Sequence, residues 1–187
     1  RRVTITRLQG AVTYPANFQL VAAMNPCPCG HFPDRSRCSC TPAQIRKYLG
    51  RISGPLLDRI DICVEAAPVS YDEIRVNKGG ESSASIRSRV ARARKLQARR
   101  FRGLGIHCNA EMTGAMIRRF CVLDTESERL LEEVYQKKGM SARTYDRILK
   151  VARTIADLEN EERIRCAHLY EALSFVSAKE QFWGRQE

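Results

Sequence analysis

Phe18-Gln19-Leu20-Val21-Ala22-Ala23-Met24 is nearly all apolar and stops at Asn25-Pro26. Such a run suits a strand buried on both faces, as in the parallel sheet of an α/β domain. A strand of that kind needs neighbours on both sides, which ties the stretch to a larger sheet. In such sheets ligands sit beyond the carboxyl ends of the strands. Asn25 therefore stands where it can touch a ligand or an attacking water. On the residues alone, a turn-former before proline is the favoured reading.

A hairpin is expected ahead of this strand, over residues 3–16. Val3 and Ile5 alternate with Thr4 and Thr6, Gln9-Gly10 makes the turn, and Val12-Thr13-Tyr14 returns. After it, Thr41-Pro42-Ala43-Gln44 has the form of a capping box with proline at the first helical position, opening a helix to Leu49. Ser53-Gly54-Pro55 stops the chain and starts a short turn that Leu56-Leu57 can anchor. A second strand is predicted over Ile60–Ala66, closed by Pro68. Arg59 is thus held between two buried elements with Asp58 and Asp61 beside it. Phosphoryl-transfer enzymes use such a residue as an arginine finger, often supplied in trans. A surface arginine paired with either aspartate is the alternative.

Asn77-Lys78-Gly79-Gly80-Glu81-Ser82-Ser83 reads as a flexible stretch. The expected division is an α/β part over 1–76, a linker over 77–85 and a helical part over 86–187. The overall class is α+β, mostly α. Helices are predicted over 84–102, from an Asn109 cap to about Phe120, from an Asp124 cap to Gly139, from a Ser141 cap, and over 165–180. Tyr145, Ile148, Leu149, Ala152, Ile155 and Ala156 recur at helical spacing and mark a core face.

The net charge of +11 favours an anionic partner. Arg87, Arg89, Arg92, Arg94, Lys95, Arg99, Arg100 and Arg102 crowd one helix. Arg92, Lys95, Arg99 and Arg102 fall on one stripe. That stripe can follow a phosphate backbone, or face solvent or another subunit. It lacks interleaved aromatics, so base stacking is not expected. No apolar run approaches 18 residues, so no membrane span is expected. The first residue is arginine rather than methionine, and a piece of a longer protein is expected.

Cys27-Pro28-Cys29 and Cys38-Ser39-Cys40 place four cysteines on one short loop. Four thiolates there can close a tetrahedral zinc site, with His31 as a substitute ligand. The pairs are tighter than the usual Cys-x2-Cys, and free thiols or two disulfides remain open. Cys63, Cys121 and Cys166 sit at apolar positions and read as core residues. Eight cysteines without a secretory signal favour the reducing cytoplasm.

Four segments together resemble the ComM/YifB group of magnesium-chelatase-like AAA+ proteins. They are Val12-Thr13-Tyr14-Pro15-Ala16-Asn17-Phe18, Ala22-Ala23-Met24-Asn25-Pro26-Cys27-Pro28-Cys29-Gly30, Ser53-Gly54-Pro55-Leu56-Leu57-Asp58-Arg59-Ile60-Asp61 and Ser141-Ala142-Arg143-Thr144-Tyr145-Asp146-Arg147. The resemblance covers nearly the whole chain. It implies the second half of an AAA+ core followed by a helical lid.

It also implies roles. Asn25 matches sensor 1, which orients water near the γ-phosphate. Arg59 matches the arginine finger, which reaches the nucleotide of the neighbouring subunit. Arg143 matches sensor 2, which contacts nucleotide within its own subunit. The hairpin matches the presensor-1 hairpin, and Arg7 near its tip is the candidate DNA contact. ATP and Mg²⁺ are the implied cofactors, and a ring, expected to be a hexamer, is the implied assembly.

One departure is large: no G-x-x-x-x-G-K-[ST] phosphate loop occurs in these residues. The chain alone is therefore expected not to hydrolyse ATP. The leading expectation is part of a DNA-directed ring motor for branch migration, in recombination or transformation. The alternatives are an ATPase subunit driving Mg²⁺ insertion into porphyrin, and a zinc-containing nucleic-acid-binding module.

Overall fold

A computed structural model describes residues 2–67, 69, 71–76 and 79–183. Pro68 and the Asn77-Lys78 start of the expected linker lie outside the described residues. The chain is α+β and mostly helical. It divides into two compact units, residues 1–49 and 50–187.

The first unit opens with an antiparallel hairpin of β1 (Arg2–Arg7) and β2 (Gly10–Pro15). Val3 pairs with Tyr14 and Ile5 with Val12 on one apolar face. Thr4 and Thr13 share a hydroxyl hydrogen bond of 2.9 Å on the other. The two-residue turn is Leu8-Gln9, one position earlier than the spacing predicts, and Gly10 takes φ +144° where the return strand begins. Helix α1 (Pro42–Leu49) follows the expected capping box. Thr41 N–H donates to Gln44 Oε1 at 2.8 Å, and Gln44 N–H donates to Thr41 Oγ1 at 3.3 Å.

The two apolar segments expected to be core strands are not strands. Residues 16–25 and 60–67 carry no ladder, and Phe18, Val21, Ile62 and Val64 stand exposed. The physical reason is that a strand exists only through its neighbours' hydrogen bonds. Among the described residues only β1 and β2 pair as strands.

The second unit contains a short turn of helix, α2 (Gly54–Leu57), and α3 (Tyr71–Val76). The long basic helix α4 (Ser83–Arg100) is capped by Ser82, whose hydroxyl accepts from Ser85 N–H. Then come α5 (Gly114–Phe120), α6 (Thr125–Lys138), α7 (Ala142–Leu158) and α8 (Cys166–Trp183). Asp124 and Ser141 cap α6 and α7 as expected, and Gly139 ends α6 in the left-handed region at φ +56°.

Asn109 is not a helix cap. A 3-10 turn occupies Asn109–Glu111, Thr113 caps α5 instead, and the Asn109 side chain is buried. Helix α7 forms the spine and packs on α4, α5, α8 and the 3-10 turn. Its buried residues Ile148, Leu149, Ala152, Ile155 and Ala156 are the face the spacing predicts. Leu131, Ile164, Leu169 and Ala172 complete the core around it, with Phe101 edge-on to Phe120 at 5.6 Å.

Candidate functional site

Two sites emerge, one in each compact unit. In the second unit, the chain turns through Ser53–Ile60 on successive backbone bonds. Asp58 N–H donates to Gly54 O at 2.9 Å and Arg59 N–H to Leu56 O at 2.9 Å. Leu57 is buried and Leu56 is not, so one leucine of the expected pair anchors the turn. This leaves Arg59 exposed at its end, with its guanidinium folded onto Pro55 O at 2.5 Å.

Arg59 lines a cleft of about 430 Å³ together with Asp58, Asp61, Ala110, Arg143, Asp146, Arg147 and Lys150. Arg143, Arg147 and Lys150 reach it from one face of α7, at i, i+4 and i+7. Arg59 and Arg143, 84 positions apart in sequence, therefore share one cavity (143 − 59). Four cationic side chains outnumber three carboxylates there.

Arg147 fixes this arrangement. It is only 6% exposed, and its Nη1 donates to Asp58 O at 3.0 Å and to Ile60 O at 3.2 Å. Those carbonyls flank Arg59. Its Nε is buried with no hydrogen-bond partner. Sequence reasoning did not single out Arg147 or Lys150, although their spacing from Arg143 carries the signal.

In the first unit, Cys27, Cys29, Cys38 and Cys40 converge, with every Sγ within 4.8 Å of the others. Three of these separations are 3.4, 3.8 and 3.6 Å. A tetrahedral zinc with Zn–S bonds of about 2.3 Å places its sulfurs about 3.8 Å apart. All eight cysteines are free thiols, which sets the disulfide alternative aside. Gly30 turns the loop at φ +83°, and its N–H donates to Cys27 O.

Phe32 N–H donates to Cys27 Sγ at 3.4 Å. A backbone N–H from His31 holds the Cys29 thiol down to about 5, despite desolvation. Cys40 is pushed up to about 11: the Cys29 N–H favours its thiolate, but desolvation and the neighbouring sulfurs outweigh it. One thiolate thus discourages the next, as expected of donors gathered for a cation. The donor set, spacing and N–H···S support fit zinc. His31 serves through its backbone, and the four sulfurs supply four ligands without it.

Asn25 is exposed, two residues ahead of Cys27. A Cβ at Gly30 would lie 3.7 Å from its Nδ2, so the side chain rests against the cysteine loop. Arg7 ends β1 beside the hairpin turn and is exposed. On α4, Arg92, Lys95 and Arg99 stay exposed, as does Arg102 just past its end, whereas Arg100 turns inward. Of the other cysteines, Cys121 lies in the core, where burial pushes its thiol up to about 12. Cys63 and Cys166 are only partly buried.

One buried constellation is invisible to sequence reasoning. Asp157 is 1% exposed and accepts from Arg100 Nη1 at 2.8 Å, Arg153 Nε at 3.1 Å, Asn109 Nδ2 at 2.8 Å and Gln97 Nε2 at 3.2 Å. It joins α4, the 3-10 turn and α7. Desolvation opposes its charge, but the Arg100 and Asn109 hydrogen bonds hold its carboxyl below the usual range.

Residues 80–176 match the family described as magnesium chelatase, subunit ChlI C-terminal, and residues 1–74 match magnesium chelatase, subunit ChlI. The chain belongs to this family. Among similar proteins, the uncharacterized protein YifB of Escherichia coli is 43% identical over 176 residues, 93% of this chain and 34% of that protein. The competence protein ComM of Haemophilus influenzae is 41% identical over 175 residues, 92% of this chain and 33% of that protein. An uncharacterized protein of Mycobacterium tuberculosis is 38% identical over 173 residues, 92% of this chain and 34% of that protein. The resemblance to the ComM/YifB group is thereby borne out, and the chain spans about a third of the length of these relatives.

Proposed function

We propose that this chain is the finger-and-lid portion of an ATP-hydrolysing ring motor. The observation that carries this reading is the cleft that Arg59 and Arg143 line together. Phosphoryl transfer is catalysed mainly by positioning and by neutralising charge on the phosphate oxygens. Two arginines lining one cavity supply both. Their shared cavity also favours one correction to the roles that the resemblance implies. A phosphate near enough for Arg59 is within the same cavity as Arg143, so both act on the nucleotide of the neighbouring subunit.

Asn25 orients the attacking water in this scheme, and the joint between the two parts lies at residues 77–85. One family match ends at residue 74 and the other begins at residue 80, which supports a joint near this stretch. The nucleotide cradle and Mg²⁺ ligands come from other parts of the protein, because these residues contain no phosphate loop. Alone, the chain neither binds ATP tightly nor hydrolyses it. The assembly is a hexameric ring in the cytoplasm. Among the described residues no helix is long and apolar enough to cross a membrane.

DNA is the proposed track. The net charge of +11 and the exposed stripe Arg92, Lys95, Arg99 and Arg102 support it, with Arg7 at the hairpin tip as a second contact. The name of the competence protein ComM fits a role in transformation. The family description favours a second reading, an ATPase driving Mg²⁺ insertion into porphyrin. The cysteine cluster, read as structural zinc, supports the first.

The test is Arg59→Ala and Arg143→Ala, each in the full-length protein. Each keeps ATP binding and loses turnover by about 10³-fold, the scale expected for removal of an arginine finger. Turnover of Arg59→Ala equal to the parent would sink the finger assignment.

A further inference from the structure

Arginines buried without a facing carboxylate in hydrogen-bond contact are costly, because desolvation penalises the charge. Arg147 is such a residue: its Nη1 bonds both go to main-chain carbonyls, and its Nε is unmet. The two carbonyls belong to Asp58 and Ile60, the residues on either side of Arg59. They lie 89 and 87 positions upstream, so the bonds tie a turn to a distant helix. Beyond these bonds, Leu57 is the one buried side chain of α2. Without Arg147, the carbonyls on either side of Arg59 would lose these two bonds to α7.

We infer that Arg147 is the positioning residue of the finger. It bolts the carbonyls of the residues before and after Arg59 to the α7 face that carries Arg143, so that both cations keep one separation. Nη1 touches no reacting atom in this scheme. It sets where Arg59 projects, and a misplacement of about 1 Å at a reacting centre costs on the order of 10²-fold in rate. The inference rests on Arg59 acting as a finger.

The experiment is a double-mutant cycle on the full-length protein, with kcat and KM for ATP as readouts. Arg147→Met keeps the apolar stem and removes the donors. It is expected to lower kcat by about 10²-fold with KM within about twofold of the parent, the signature of a contact that matters only in the transition state. Arg147→Lys restores a donor and recovers part of the rate. Added to Arg59→Ala, Arg147→Met costs less than about twofold more, because residues acting as a unit are not additive.

The failures separate cleanly. Parent-like turnover of Arg59→Ala removes the finger reading itself. A crippled Arg59→Ala beside a parent-like Arg147→Met, or losses that multiply, leaves the finger and overturns the positioning role. Thermal melts accompany each variant. If Arg147→Met fails to fold, Arg147→Lys carries the cycle. Unfolding of both makes Arg147 a core residue only, and also overturns the inference.

Discussion

Asp157 shows how much one side chain can decide here. Its carboxylate takes donors from Gln97, Arg100, Asn109 and Arg153, and Arg153 also reaches the carbonyls of Glu161 and Glu162. Asp157→Ala leaves the Arg153 charge buried without its carboxylate. A loss of about 3–5 kcal/mol in unfolding free energy is expected, read by urea denaturation. The same residue sets a pH dependence. Its folded pKa lies below the unfolded one, so its stabilisation is present above about pH 4 and disappears as pH falls through the folded value. Asp157→Asn should therefore flatten the acid limb of the stability profile. An unchanged acid limb would place the acid sensitivity elsewhere. Exposed Arg59 and Arg143 lie outside this network, and their alanine variants should melt near the parent temperature.

Single elements were legible to different degrees, for different reasons. The caps at Thr41, Asp124 and Ser141 and the stop at Gly139 depend on local hydrogen bonds, so the sequence carries them directly. The face of α7 was legible because burial repeats every three to four residues. The inward turn of Arg100 was not, because only the distant Asp157 determines it. Asn109 misled for the same reason: its side chain serves Asp157 and not a helix end.

Two elements carry predictions. On α4, charge reversal at Arg92, Lys95 and Arg99 should reduce the salt slope of DNA binding, by about one for each phosphate no longer neutralised. Binding titrations at several salt concentrations read that slope. An unchanged slope would return the stripe to solvent. On the cysteine loop, the protein should carry one zinc per chain by metal analysis. Cys27→Ser with Cys29→Ser should abolish it and lower the melting temperature. Zinc content unchanged by that pair would disprove the site.

Across the whole molecule, the sharpest difference between sequence and structure lies at residues 18–24 and 60–66. Their composition reads as buried strand, yet they stand mostly exposed and form no ladder, because the partners a strand requires are not among the described residues. Hydrogen exchange should show these amides fast in this chain and protected in the full-length protein. Equal rates in both would mean that they are not sheet strands. The helical unit, with its own core, should melt similarly in either setting.

The carboxylate at position 157 also restricts how relatives can diverge. Losing it first would leave the Arg153 and Arg100 guanidinium groups without their carboxylate, whereas losing Arg153 or Arg100 first leaves an acid that still has donors. Mutational paths through this junction should run cation before carboxylate. Relatives without an acid at 157 should then lack arginine at 153, a pattern that an alignment can refute outright.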